Sequence, residues 1–229
     1  MVIQIMPFID KYLRLKLYKN NLIFTSILFI FQDLQPLNAQ NITSYRSLRY
    51  EQTIGQTNIY TCGAAAVATL FTHFYNQPVG ELDVLEIAEN IMREGGRNPE
   101  ESGLNAFSLR QALITQGIDA DVKEVTLDQL RQYFNRGGLP IVIHVTIPQP
   151  HYILAIGLVE DWLIVSDPTL GRGMFPLENL NTEKGFSGIV IMARPSPEAA
   201  QVARQQQQVS EDWADGRLQR LNTMKRTTL

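Results

Sequence analysis

The stretch Gln56-Thr-Asn-Ile-Tyr-Thr-Cys62-Gly-Ala-Ala-Ala-Val-Ala-Thr-Leu-Phe-Thr-His73-Phe-Tyr75 holds the chain's one cysteine and passes from a polar loop into an apolar run with no breaker before Asn76. Thr61 is placed to N-cap a helix whose first positions are Cys62 and Gly63. Amide N–H groups left unpaired at that end favour the thiolate over the thiol, which makes the sulfur a nucleophile near neutral pH. A buried, inert cysteine at the start of a core helix would read the same way. The stretch therefore acquires chemical meaning only if a base and its orienting group can be found elsewhere.

From Leu139 onward the pattern changes to short β-branched runs bounded by Pro, Gly and Asp: Pro140–Thr146, His151–Leu158, Trp162–Asp167 and Gly188–Met192. His151 opens one run, Asp167 closes the next, and a turn is expected near Val159–Asp161. A bulge-free hairpin that sets 155 opposite 163 and 153 opposite 165 also sets His151 opposite Asp167, about 5 Å apart at Cβ. A slip of one residue would send the two side chains to opposite faces. Gln56, six positions before Cys62, can fold back and offer its amide N–H, beside the Cys62 backbone N–H, to a developing oxyanion. His73 reads as a helix-face residue and His144 as a strand residue, and neither has an acidic partner in its local pattern.

The 229 residues are 45% hydrophobic and 19% charged, enough for one well-buried domain. Twenty basic against 23 acidic residues give a net charge of −3, which offers no electrostatic footprint for nucleic acid. A single cysteine excludes an internal disulfide, and none of the 3 histidines stands at metal-ligand spacing from it, so no structural zinc site is expected. Residues 1–39 read as a signal peptide: Lys11, Arg14, Lys16 and Lys19 lead, Leu22–Phe31 is apolar, and Ala39 ends the segment. The apolar run is too short to span a bilayer. Export to the periplasm is expected, with the segment acting as an anchor if it stays uncleaved.

The middle of the chain reads as helices. Asn41–Gln52 is expected as an extended lead-in, Glu81–Arg93 as a helix with Leu82, Leu85, Ile87, Ala88 and Ile91 at helical spacing, and Glu94–Ser102 as a loop. Asn105–Gln116 follows as a helix with Phe107, Leu109, Ala112 and Leu113 inward, then a strand at Ala120–Val125 and a helix Thr126–Asn135 capped by Thr126. Helices first and strands afterwards predict an α+β domain, N-terminal helices packed on an antiparallel sheet. Residues 196–229, with four consecutive glutamines, read as a polar, partly helical extension, exposed or docking a partner.

Taken together, Gln56, Cys62-Gly63 before an alanine-rich helix, His151 before an apolar strand and Asp167-Pro168 sixteen positions later resemble peptidase family C39, whose members cleave after double-glycine leaders. The resemblance runs from Gln52 to Ile191 and includes the segment from Gly103-Leu104 to Gly117. It implies a papain-like cysteine proteinase fold over residues 40–195, a triad of Cys62, His151 and Asp167, Gln56 in the oxyanion hole, no cofactor, and a peptide or protein substrate. Thr61 stands where that family usually has Asp. The chain lacks the membrane spans and phosphate-binding Gly-Lys loop of the family's transporter members. It looks more like the stand-alone exported form that accompanies functional-amyloid secretion systems, which would make a co-exported component its substrate. The resemblance leaves two alternatives: acyl transfer of the phytochelatin-synthase type, and a non-catalytic peptide-binding module, against which Cys62 argues.

Overall fold

The computed structural model describes residues 44–146, 149–181 and 185–227. The signal peptide expected at 1–39 lies outside them. Helices come first: α1 (Tyr45–Arg49), α2 (Cys62–Thr69), α3 (Glu81–Glu94), the one-turn α4 (Pro99–Ser102) and α5 (Ala106–Thr115). A π-helical turn, Leu70–Phe74, continues α2. Then come β1 (Asp119–Glu124), α6 (Leu127–Asn135), β2 (Ile141–Val145), β3 (His151–Val159), β4 (Trp162–Asp167), β5 (Gly171–Pro176) and β6 (Phe186–Arg194), and α7 (Pro197–Thr227) closes the series. Among the described residues the strands form one sheet in the order β1-β6-β2-β3-β4-β5, every neighbouring pair antiparallel. The α+β arrangement expected from the order of the elements is the one found.

Side chains alternate across the sheet, so the central strands feed two cores. Ile141, Ile143, Ile153, Leu163 and Val165 face α6, where Leu130 and Phe134 meet them. Val142, Leu154, Ile156, Ile164 and Ile191 share the other core with α2, α3, α5 and α7. The alanines of α2 are fully buried, and their small size lets the helix lie close on the sheet. Gly63 marks the tightest point: a Cβ there would stand 2.5 Å from Leu109 Cδ1 and 3.3 Å from Tyr152 Cδ2. The residue after the cysteine is glycine because α5 and β3 leave no room for a side chain.

Several local expectations are corrected. The lead-in is not extended, since Ser44 accepts from the Ser47 amide and caps α1. Asn98 caps the turn of α4, with Pro99 at its first position, inside the stretch expected to be loop. Phe107 is 58% exposed rather than inward, because α5 buries Ala106, Ser108, Leu109, Ala112 and Leu113 instead. Leu82 likewise points out of α3, which buries Val84, Leu85, Ala88 and Met92. Strand β5, with two glycines and weak alternation, forms by pairing along the whole of β4. The capping box Thr126/Gln129 starts α6.

The hairpin of β3 and β4 departs most from its expected register. Glu160 and Asp161, with φ of 47° and 66°, make the two-residue turn, and the Arg131 guanidinium holds the Asp161 carboxylate at 2.9 Å. From there Val159 pairs with Trp162, Leu158 with Leu163 and Gly157 with Ile164; Ile156 is extra, and Ala155 then pairs with Val165 and Leu154 with Ser166. The bulge-free register is therefore wrong. Continuing the observed one sets Ile153, not His151, opposite Asp167.

Helix α7 explains how the bulge is tolerated. Its buried residues, Ala203, Gln207, Ser210, Ala214 and Leu218, recur at helical spacing, so the segment read as a polar extension is a continuous helix docked on β3 and β4. Gln207 Nε2 donates to the carbonyl of bulged Ile156 at 2.7 Å and to that of Gly138 at 2.8 Å. One side-chain amide thus supplies a donor to both carbonyls. Gln207→Leu is expected to lower unfolding free energy by about 2 kcal/mol. Urea denaturation with an unchanged midpoint would show that the bulge does not depend on this side chain.

Candidate active site

Cys62 occupies the first position of α2 and is 7% exposed. Thr61 stands at the cap position, but its hydroxyl does not cap the helix. It donates to the Asn58 carbonyl at 2.9 Å and accepts from the Asn58 amide at 3.1 Å, closing a tight turn over residues 58–61. The expected N-cap is thus replaced by a local turn. The first amides of α2 receive no side-chain acceptor from Thr61 and remain directed at the mouth of the helix.

Strand β3 brings its first two residues to the sulfur. The Tyr152 amide lies 3.5 Å from Cys62 Sγ and donates to it. His151, 8% exposed, puts Nε2 at 3.0 Å from Asp167 Oδ1. The pair meets diagonally: two residues along the strand from the directly opposed position still means the same face, and the long imidazole closes the extra distance. With Nε2 on the carboxylate, Nδ1 is the ring nitrogen left for the sulfur.

Burial alone would lower the His151 pKa. Hydrogen bonds to Asp167 and Cys62, together with their charge, more than reverse this and raise it from 6.5 to about 9. Burial works on Asp167 in the opposite sense, yet His151 and the amides of Thr169 and Leu170 hold its pKa below the usual carboxylate range. Those amides reach Oδ1 at 2.7 and 3.1 Å. The carboxylate therefore stays ionised and the imidazole stays protonated well above neutrality.

Gln56 sits on the far side of Asp167-Pro168-Thr169. Its amide N–H donates to the Pro168 carbonyl at 3.1 Å, and its side-chain oxygen accepts from the Thr169 hydroxyl at 2.9 Å. That contact turns Nε2 toward the turn preceding Cys62, where it donates to the Asn58 carbonyl at 2.9 Å. The second hydrogen of Nε2 has no acceptor among the described residues. Neighbouring contacts fix the whole segment: Thr53 donates to Ser166 at 3.0 Å, the Ile54 amide to Thr69 at 2.9 Å, the Thr57 amide to buried Glu81 at 2.9 Å, and Tyr50 to the Thr169 carbonyl.

All four residues singled out in the sequence are thus drawn into one region by α2, β3, β4 and the segment before α2. Three contributors were missed. Thr169 ties Gln56 to Asp167, and the Asp-Pro-Thr sequence, typical of a side-chain-capped turn, carried a signal for its amide bond. The Tyr152 amide and Glu81 carried none. His144 is half buried, with its ring 4.7 Å from that of Tyr152 and its Nδ1 without a hydrogen-bond partner among the described residues. Burial first, and His151 second, lower its pKa. Among the described residues, no cluster of three or more His, Cys, Asp or Glu is placed to hold a metal.

The chain is 23% identical over 153 residues to a protein of Pseudomonas aeruginosa described as the probable functional amyloid protease FapD, and 25% identical over 154 residues to its Pseudomonas fluorescens counterpart. Each alignment covers 66% of this chain, which spans 64% of the length of these relatives. The fold is shared with the crystal structure of the peptidase domain of Streptococcus ComA, a bi-functional ABC transporter involved in a quorum-sensing pathway. That comparison has a TM-score of 0.52 and 19% identity, covering 63% of this chain and 98% of the other. The sequence pattern of the peptidase C39 family matches residues 50–198, a span that runs from the segment carrying Gln56 through α2 and the β3–β4 hairpin to the start of α7, and the chain belongs to that family.

Proposed function

We propose that the protein is a cysteine endopeptidase. Cys62 attacks the scissile carbonyl, His151 gives its proton to the leaving amine and later takes one from the hydrolytic water, and Asp167 holds the imidazole. The tetrahedral oxyanion is received by the Cys62 amide and the spare N–H of Gln56. One observation carries this reading: His151 joins Asp167 through Nε2 while the next residue, Tyr152, touches the sulfur. Gln56→Ala is expected to lower kcat by about 10²- to 10³-fold, with KM little changed, because the lost N–H acts on the oxyanion and the helix amide remains. A loss seated in KM alone would remove Gln56 from the oxyanion hole.

The substrate is an exported protein or peptide, and a co-exported amyloid component is the first to try, given the relatives' description. Family membership makes a double-glycine motif the first cleavage site to look for. Export through residues 1–39 goes with this reading and predicts a mature chain beginning near Gln40 in the periplasmic fraction. Incubating that material with co-exported proteins and mapping the new termini by mass spectrometry tests both points. New termini that appear equally with the Cys62→Ala protein would exclude the assignment.

A further inference from the structure

A second cleft lies between α1, β5 and α7. Its volume is about 500 Å³, and Tyr45, Leu48, Arg49, Arg172, Trp213 and Arg217 line it. Trp213 carries two guanidiniums, that of Arg172 at 4.5 Å and that of Arg217 at 5.1 Å from its ring centroid. Against three arginines the lining offers one carboxylate, that of Glu51, which reaches Arg172 only at 4.0 Å and is mostly exposed. Neither Arg49 nor Arg217 has an ion-pair partner among the described residues. A chain with a net charge of −3 thus concentrates positive charge in one concave place.

We propose that this cleft binds an acidic segment of a peptide or protein substrate. Guanidinium forks match carboxylates bidentately, and two of them on one indole give a planar, preorganised receptor. Leu48, Met174 and the rings of Tyr45 and Trp213 supply apolar walls, which a peptide can use and a bare inorganic anion cannot. Like charges sharing a partly buried site repel. Burial works first against the Arg172 charge, Glu51 favours it and Arg217 opposes it by less, and a bridging carboxylate would act in the same sense as Glu51. The chain's own first 43 residues have the wrong sign to fill the cleft, with Lys11, Arg14, Lys16 and Lys19 against Asp10 and Asp33.

The cleft is linked by hydrogen bonds to the active-site segment. Arg172 Nη1 donates to Gln52 Oε1 at 2.9 Å, and the Gln52 carbonyl accepts from Ser166, the neighbour of Asp167, at 3.2 Å. Two of its walls, Tyr45–Arg49 and the turn of α7 carrying Trp213 and Arg217, lie outside the family match at 50–198. The site is therefore completed by segments outside the family match, against a wall of β5 that lies inside it. Naming the occupant a substrate rests on the peptidase reading; that it is an acidic peptide rests on the cleft alone.

The test is equilibrium binding to the full Cys62→Ala protein, so that no cleavage is needed. The probe is a fluorescein-labelled decapeptide of alternating Glu and Leu, with a Gln/Leu decapeptide as control. Anisotropy is expected to report binding of the Glu peptide that weakens with added salt. Arg217→Gln should weaken it about tenfold and Arg49→Gln/Arg217→Gln further, as for lost charge-assisted hydrogen bonds. In a Trp162→Phe background the emission of Trp213 should change on binding. Equal affinity for the Gln peptide, an unweakened double variant, or a silent Trp213 would overturn the proposal. Equal competition by an oligothymidylate would overturn the peptide assignment in favour of a general polyanion site. Cleavage of a short neutral peptide by Arg49→Gln/Arg217→Gln should match the parent. If the parent binds the Glu peptide yet cleaves nothing, the peptidase reading falls and the cleft stands; if it cleaves but does not bind the Glu peptide, the cleft proposal falls and the peptidase stands.

Discussion

Replacing Cys62 by alanine is expected to reduce peptide cleavage by about 10⁴-fold or more, leaving only what the oxyanion donors achieve with water. Substrate affinity should move by no more than about twofold, because the sulfur forms its bond on the way to the transition state and contributes little to ground-state binding. Single-turnover kinetics on a mapped substrate, paired with calorimetric titration of the same peptide, separate the two quantities. Combining Cys62→Ala with Asp167→Asn should cost scarcely more than Cys62→Ala alone, since an oriented imidazole has no use without its nucleophile. Independent, multiplying losses would mean that Asp167 acts outside the triad. A Cys62→Ala protein that cleaves at the parental rate would end the mechanism.

Asp167→Asn is expected to lower kcat/KM by about 10²- to 10⁴-fold with the fold intact. The fold survives because an asparagine oxygen can still accept the amides of Thr169 and Leu170, which Asp167 Oδ1 now holds at 2.7 and 3.1 Å. What disappears is the negative charge behind His151. That charge helps to keep the imidazole protonated up to about 9, against burial, which pulls the other way. In the parent, kcat/KM should therefore hold steady through neutrality and fall as pH rises through about 9, when the imidazolium is lost. In Asp167→Asn that alkaline limb should move toward lower pH. The same group makes a matching contribution to stability: its folded pKa is raised above 6.5, so the contribution is complete below that value and is lost as pH rises through about 9. An alkaline limb at the same pH in both proteins would disconnect Asp167 from His151.

The parts of the site written in short stretches were legible in the sequence. Cys62 at a helix start and His151 and Asp167 at strand ends follow from local signals, and the order of helices and strands gave the fold class. The register that brings His151 to Asp167 was not legible, because the bulge at Ile156 is satisfied by Gln207, 51 residues away. Thr61 failed as a cap for a local reason: Asn58, three residues earlier, competes for its hydroxyl at both donor and acceptor. Gln56 was legible as a polar loop residue near the nucleophile. Its orientation depends on Thr169, 113 positions on, and no spacing rule reaches that far. The glutamine run at 205–208 misled through its average polarity, since only Gln207 of the four is buried.

The contact between Gln207 and the Ile156 carbonyl also bears on the order in which the protein can mature. Helix α7 follows the hairpin in the chain, and until Gln207 docks the carbonyls of Ile156 and Gly138 lack its amide as a donor. The β3–β4 hairpin can pair before then, but a bulge without its donor can relax by continuing the register of the turn, which sets Leu154 opposite Asp167 and turns His151 to the other face. The diagonal contact of His151 and Asp167 is therefore expected to settle as α7 docks. Assembly of the His151–Asp167 pair is thus tied to a helix that lies almost wholly outside the family match at 50–198, so shortening that helix should disturb a contact made by residues well inside the match.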